Sequence, residues 1–441
     1  MSEIIEQVSD FFKYLKTNGN MEKLGTNSDN KTMPIHRWFS FMPGFSNVFV
    51  DTTFSYFKFN NNGCRVYDPF MGSGTTAVVG RKYGITVVGN ESNRFLYEIG
   101  KAKLQFLSKP DDLVADGKKI LKKCECIWEE IDISEENAIL AKCFSTSNLK
   151  KLIALRNAYY GNSIKKIHKP FIFLAISSLL PRCAEVGISI PYISWKNTRI
   201  AEDPFIVFKD VISNMKDDME EANMAGYDGD AKIYLFDSRK KNNRIKSNSI
   251  KMVFTSPPYL NNFDYGEALK VYTYFWKFTN NWSEITSKIR MKSLASATTY
   301  YLERDYRDKK AKEIIGNKML RDAPKTSKKI QRAVNAIRKQ ITGKREKSFD
   351  ILTALYFKDM HHVLKEVYRV LKKQGLAFIV IGDSAPYGVY IPTDKYLGEL
   401  AEEIGFSKYR FMELRPRGQK WVSLKNRHNL RLRESLLVLI K

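Results

Sequence analysis

Arg65-Val66-Tyr67-Asp68-Pro69-Phe70-Met71-Gly72-Ser73-Gly74-Thr75-Thr76 is the stretch that decides the fold of this 441-residue chain. Its first four residues read as a short strand ending in an acid. Residues 69 to 74 form a turn whose glycines let the backbone bend sharply and approach a ligand closely. A helix is predicted from Thr75 to Tyr83. The next strand runs from Ile85 to Gly89 and ends in Asn90-Glu91. Strand, glycine turn, helix and strand open a parallel α/β sheet. The turn is no GxxxxGK[ST] phosphate loop, since no Lys precedes Thr75, and it lacks the third glycine of a dinucleotide fingerprint.

Outward from this core the α/β rhythm stops near residue 104 and resumes at 232. Between them, apolar periodicity predicts helices at 113 to 130, 149 to 160 and 171 to 180. Strands are expected at 232 to 236, ending at Asp237, and at 251 to 255. After a second interruption come a helix from 351 to 372, a strand from 376 to 382, a helix from 393 to 404, and strands at 408 to 414 and 434 to 440. The last two have no helix between them and predict an antiparallel edge hairpin. The expected architecture is an α/β, Rossmann-like, mostly parallel sheet carrying two largely helical inserts. Its segments are an N-terminal helix and mobile connector (1–30), a ligand-binding half (31–104), a helical insert (105–231), a motif-bearing segment (232–282), a basic insert (283–348) and a C-terminal part (349–441).

Composition narrows the partner. Lys+Arg number 73 against 48 Asp+Glu, a net +25, which points to a polyanion. Between Lys288 and Lys347, nineteen basic side chains face six acidic ones, about half of the whole excess. The five cysteines are odd in number and lack CxxC spacing, so neither a disulfide framework nor a metal site is expected. No apolar run approaches the roughly 18 residues of a membrane span, and the N-terminus is no secretory signal. A cytoplasmic protein with no membrane partner is expected.

The strand ends carry the chemistry. Glu91 stands where a carboxylate can accept hydrogen bonds from ribose hydroxyls, and Asp237 where one can meet an adenine amino group; a helix N-cap would also explain Asp237. Thr255-Ser256-Pro257-Pro258-Tyr259 follows an apolar strand. Its prolines fix the backbone so that a side-chain oxygen and a carbonyl oxygen converge on one point, and the aromatic ring can lie against a planar base.

With these residues in view, the chain resembles the S-adenosylmethionine-dependent DNA methyltransferases that act on exocyclic amino groups. DPFMGSGTT resembles their cofactor motif, VVGNE and LFDS the next two strand ends, and TSPPY the catalytic tetrapeptide with its preceding residue. Ile35-His36-Arg37-Trp38-Phe39, with Phe45 to Phe49, resembles the segment that closes over the methionine end of the cofactor. The resemblance covers most of 34–100, 232–275 and 350–441 and implies a class I methyltransferase sheet. It implies cofactor contacts from Asp68, Pro69, Phe70, Gly72, Ser73, Gly74, Thr75, Glu91, Asp237, His36 and Trp38. It implies catalysis by Ser256, Pro257, Pro258 and Tyr259 on a base rotated out of duplex DNA. Ser in the first place of SPPY resembles cytosine-N4 enzymes, although some SPPY enzymes modify adenine at N6. No Pro-Cys pair occurs, which argues against cytosine-C5 chemistry and against a catalytic Cys.

In the basic insert, Tyr300, Tyr301 and Tyr306 interleave with Arg304, Arg307, Lys309 and Lys310, as a phosphate-tracking surface with base or sugar contacts would. Lys328 and Lys329, and Arg415, Arg417, Lys420 and Trp421 between the last two strands, are expected to extend it; a solvated face, or for Arg415 a carboxylate partner, is the plainer alternative. The helical insert is expected to supply much of the base readout. The reading is thus a site-specific DNA methyltransferase, with a restriction endonuclease as a possible companion. RNA guanine-N2 methylation and a catalytically inert nucleic-acid-binding protein are the remaining alternatives.

Overall fold

The computed structural model describes residues 2–18, 21–41, 43–58, 63–105, 109–161, 164–188, 192–343, 346–418 and 430–441. Seven strands form the main sheet: β1 (Arg65–Asp68), β2 (Thr86–Glu91), β3 (Ala231–Leu235), β4 (Ile250–Thr255), β5 (Leu371–Gly382), β6 (Lys408–Arg417) and β7 (Leu432–Ile440). Their spatial order is β3-β2-β1-β4-β5-β7-β6. The first five run parallel, and β7 lies antiparallel between β5 and β6. The expected α/β sheet with an antiparallel hairpin at one edge is therefore what the chain builds.

The strands are apolar on both faces because helices cover both. Successive residues alternate between two cores. Val66, Met252, Phe254, Phe378 and Val380 point into one, with helices α1 (Ser2–Asn18), α2 (Thr75–Lys82) and α3 (Arg94–Lys103). Tyr67, Val253, Ala377, Ile379 and Ile381 point into the other, with α4 (Pro324–Gln340), α5 (Phe349–Val370) and α6 (Thr393–Ile404). This is the period-two geometry of a strand read in three dimensions. The helical insert joins the first core through Phe171, Phe173 and Leu174, and the basic insert joins the second through Ile330, Val334 and Ile337.

The predicted helices are present with small shifts of boundary, as Asp111–Ile127, Thr146–Tyr160 and Lys169–Cys183. A 21-residue helix at Pro204–Met224 was not anticipated; Asp203 caps it by accepting from Phe205 and Ile206 N–H, and Pro204 fills its first turn. β5 starts at Leu371 rather than 376, with an irregular register against β4 and Gln374 at φ 62°.

The polar segment after α1, expected to be a mobile connector, is tied down. Asn27 donates to the Phe41 carbonyl at 2.9 Å and Asn30 to the Phe45 carbonyl at 3.0 Å, while Asn30 Oδ1 accepts from Asn47 N–H at 2.8 Å. Buried amides satisfied by a neighbouring loop fix that loop as firmly as they fix themselves. Asp218, from the unanticipated helix, fastens the preceding stretch: it accepts from Ile35 N–H and Trp38 Nε1–H, each at 2.8 Å, and pairs with Arg37. Ile35 sits at φ 65°, a strained position for a β-branched residue that persists only because its surroundings hold it. Asp218→Ala would strand two buried donors at about 1–3 kcal/mol each. A denaturant melt should show a loss of at least about 2 kcal/mol; an unchanged midpoint would remove Asp218 as the anchor of this loop.

Candidate active site

The site is built on one carboxylate. Asp68, fully buried at the end of β1, accepts from Phe70 N–H at 2.9 Å and from Thr255 Oγ1 at 2.6 Å on one oxygen, and from Thr76 Oγ1 at 2.7 Å on the other. The glycine turn, the first turn of α2 and the end of β4 are thereby stitched together, one residue before Ser256. Burial outweighs these three donors and pushes the Asp68 carboxyl up to about 6.

Gly72 and Gly74 lie at φ 54° and 91°, in the left-handed region that the turn requires. A Cβ on Gly74 would stand 3.5 Å from Gly100 Cα, so the turn rests directly on α3. Glu91 holds the turn from the other side. Its Oε2 accepts from Gly72 N–H at 2.9 Å and its Oε1 from Asn93 N–H at 2.7 Å. Burial pushes its carboxyl up to about 7. Each oxygen uses one lone pair on the backbone and keeps another for a donor.

Turn and tetrapeptide open into one cavity of about 710 Å³, lined among others by Phe41, Phe45, Phe70, Gly72, Glu91, Ser256, Pro258 and Tyr265. A second cavity, of about 1420 Å³, shares Ser92 and Asn93 with it and reaches Phe236 and Asp237. The trench thus follows the carboxyl ends of β4, β1, β2 and β3, where open α/β sheets bind ligands. Its chemistry fits S-adenosylmethionine: a backbone cradle at Gly72, a carboxylate for ribose hydroxyls at Glu91, and aromatic faces around a cationic sulfonium.

Among the expected cofactor residues, Phe70, Gly72, Ser73, Thr75 and Glu91 line the first cavity; Asp68 and Gly74 support it from beneath. Pro69 turns its carbonyl to the Ser238 hydroxyl. His36 and Trp38 do not line it. His36 is buried, and its carbonyl accepts from Lys103 Nζ at 2.8 Å; burial and the Lys103 charge push its imidazole down to about 3. Trp38 is spent on Asp218. From that segment Phe41, Pro43, Gly44 and Phe45 line the cavity instead. Asp237 reaches the second cavity, but Arg239 spans its two oxygens at 2.9 Å each and continues to Asp359 at 3.1 Å. Sequence reasoning missed Tyr265, Arg239, Lys103 and Asp218. None carries a motif, and each takes its place only through contacts distant in the chain.

At the tetrapeptide, the Tyr259 hydroxyl donates to Glu434 Oε2 at 3.2 Å, and the Arg417 guanidinium lies over the Tyr259 ring, 4.8 Å from its centroid. Arg415 pairs with Glu434 through two bonds of 2.9 and 3.1 Å, the carboxylate alternative rather than a free phosphate contact.

The basic insert divides. Arg304, Arg307, Lys309 and Lys310 are exposed, with Arg307 paired to Glu303 at 3.3 Å and Lys309 over the Tyr306 ring. Tyr300, expected to be available for stacking, is buried and its oxygen accepts from Tyr265 N–H at 3.0 Å. Tyr301 donates to the Ser348 carbonyl at 2.7 Å. Lys329 reaches Glu399 at 2.7 Å, and its neighbour Thr326 bonds Glu403. Glu399 lies midway along α6 and Glu403 near its end; the helix starts beside Asp383 at the site end and runs 12 residues, about 18 Å, away from it. Lys328 and Lys329 therefore stand at the opposite edge of the sheet from the cavity. Lys420 and Trp421 lie outside the described residues.

Residues 250–432 match the family model described as DNA methylase. The chain is 22% identical to the type II methyltransferase M.BsoBI of Geobacillus stearothermophilus, over 90% of this chain and 83% of that protein. It is 24% identical to the type II methyltransferase M.MvaI of Kocuria varians, over 90% of this chain and 87% of that protein. No described helix is long and apolar enough to cross a membrane. The glycine turn and the SPPY tetrapeptide meet on one cavity, and the family match together with the two relatives supports a DNA methyltransferase of the N4/N6 type.

Proposed function

We propose that the protein methylates the exocyclic N4 amino group of a cytosine rotated out of duplex DNA at a specific sequence, as the modification half of a restriction-modification pair. The observation that carries this reading is the cavity shared by Gly72 and Ser256. The SPPY form supports cytosine over adenine, and the type II designation of both relatives supports a companion endonuclease.

An exocyclic amine is a poor nucleophile because its lone pair is delocalised into the ring. Ser256 Oγ and the Pro257 carbonyl accept hydrogen bonds from its two N–H groups and favour the pyramidal state in which the lone pair is free. Neither proline has a backbone N–H to compete for those acceptors. Tyr259 offers a ring face for the everted base, while Arg417 lies against the ring and holds its angle. Bound S-adenosylmethionine supplies a methyl group on a sulfonium whose leaving group is neutral. What remains for the chain is alignment, worth up to about 7–11 kcal/mol in well-oriented cases. The Asp68 link between the two motifs makes that alignment rigid.

Ser256→Ala should lower methyl transfer by about 100-fold or more while cofactor affinity stays at its normal level. Digestion of modified DNA to nucleosides, followed by mass identification, should return N4-methylcytosine. N6-methyladenine alone would move the assignment to adenine, and no methylated base from an active preparation would remove the reading.

The raised Glu91 carboxyl gives a pH signature. Its ionised form is the one that accepts two ribose hydroxyls, so cofactor affinity should rise as pH rises through about 7, with proton release on binding. The ligand-free fold behaves oppositely, losing stability as pH rises from the ordinary 4.5 to about 7. Glu91→Gln should flatten both profiles in calorimetry, and a profile unchanged by that substitution would assign the titration elsewhere.

Replacing Arg304, Arg307, Lys309 and Lys310 together by Gln should shallow the dependence of DNA affinity on salt by about 0.9 for each phosphate no longer neutralised. Replacing Lys328 and Lys329 should leave the slope alone, and the reverse outcome would put the duplex on the other edge of the sheet.

A further inference from the structure

Glu434 has no part in the motifs, yet the sheet delivers it to the catalytic tyrosine. It lies near the start of β7, the middle strand of the closing three, with Gly382 of β5 opposite it on one side and Arg415 of β6 on the other. Both neighbours depend on a local irregularity or a missing side chain. The register of β6 against β7 slips between Glu413 and Arg415, a bulge that skips Leu414 and turns Arg415 onto Glu434. At Gly382 an added Cβ would fall 2.8 Å from Tyr259 Cδ2 and 2.0 Å from Arg417 Nη1, so only glycine leaves room for the tyrosine ring to come in.

The result is a buried, directional chain of polar groups. Arg415 gives two charge-assisted bonds to Glu434, which is 2% exposed. The Tyr259 hydroxyl donates to Glu434 Oε2 at 3.2 Å. Water is kept out by the N-terminal segment: a Cβ on Gly25 would stand 1.6 Å from Glu434 Oε1, so the chain crosses in direct contact with the carboxylate.

We infer that Glu434 and Arg415 are positioning residues for the amino-methyl transfer proposed above, fixing the hydroxyl and so the ring of Tyr259. A carboxylate paired with Arg415 can only accept. The Tyr259 O–H is therefore committed to Glu434, and the ring that is to meet the everted base is held by that bond at its tip and by Arg417 across its face. No proton is transferred along the chain; it selects one orientation out of those a hydroxyl can adopt. This reassigns Arg415 from the DNA-binding surface to the support of the catalytic tetrapeptide.

The inference rests on the amino-methyl transfer reading and is tested apart from it by a double-mutant cycle on kcat, with the unmodified protein's activity on duplex DNA as reference. Glu434→Gln keeps the shape but brings an NH₂ donor, and Tyr259→Phe keeps the ring but removes the hydroxyl. Each should lower kcat by between about 10- and 100-fold with cofactor Kd and DNA KM unchanged. The double variant should be no slower than the worse single one, because the two act as one unit. Glu434→Asp, which remains an acceptor, should recover part of the rate. Full activity in Glu434→Gln, or losses that multiply in the double variant, would overturn the inference while leaving methyl transfer standing. An inactive unmodified protein would strike at the reading beneath it instead.

Discussion

A single buried carboxylate holds the candidate site together. Asp68 ends the first strand, and its three acceptor contacts gather the glycine turn, the helix that leaves it and the last residue of β4 into one unit. The glycine turn and the SPPY tetrapeptide are carried on segments far apart in the chain, and the bond from Thr255 to Asp68 spans 187 residues. The in-line transfer proposed above would tolerate little slack between them, since a misplacement of about 1 Å can cost two orders of magnitude in rate. Hydrogen bonds to a charged, water-free group supply that stiffness better than apolar contact, because they fix direction as well as distance.

The two inserts share one logic. Each lengthens the chain between strands of the sheet without disturbing it, and each covers one face. The helical insert extends the core on the side of α2 and α3, and its Asp218 pins the loop that carries Phe41 and Phe45 to the first cavity. The basic insert extends the core on the side of α5 and α6, yet spends part of its charge on internal ion pairs such as Arg290 with Asp264 and Arg338 with Asp350. Charge counted along a sequence is therefore an upper bound on charge offered to a polyanion.

Much of this was legible in the sequence for a physical reason. Apolar strands and glycine turns are local signals: β1 ran over the residues anticipated, and the TSPPY motif and the 68–76 turn met on one cavity. Long-range polar contacts were not legible. His36 and Trp38 sit in a segment that does reach the first cavity, but its path is set by Lys103 and Asp218, so Phe41 and Phe45 face the cavity instead. Asp237 lay at the right strand end, though nothing local announces that Arg239 will span it. Tyr300 looked like a stacking surface because aromatic and basic residues alternate there, and tertiary packing buried it. Lys328 and Lys329 share an insert with Arg304 but not an edge of the sheet, because α4 packs along α6.

The strand that completes the sheet is also the one inserted between two others. Until residues 432–440 have left the ribosome, β5 has no partner on that side, β6 has nothing to pair with, and Glu434 is absent from beneath Tyr259. The half that carries the glycine turn can collapse earlier, since β1, β2 and α3 are contiguous in the chain. A nascent molecule would thus emerge with its glycine turn and the strands around it well before the strand that brings Glu434 beneath Tyr259.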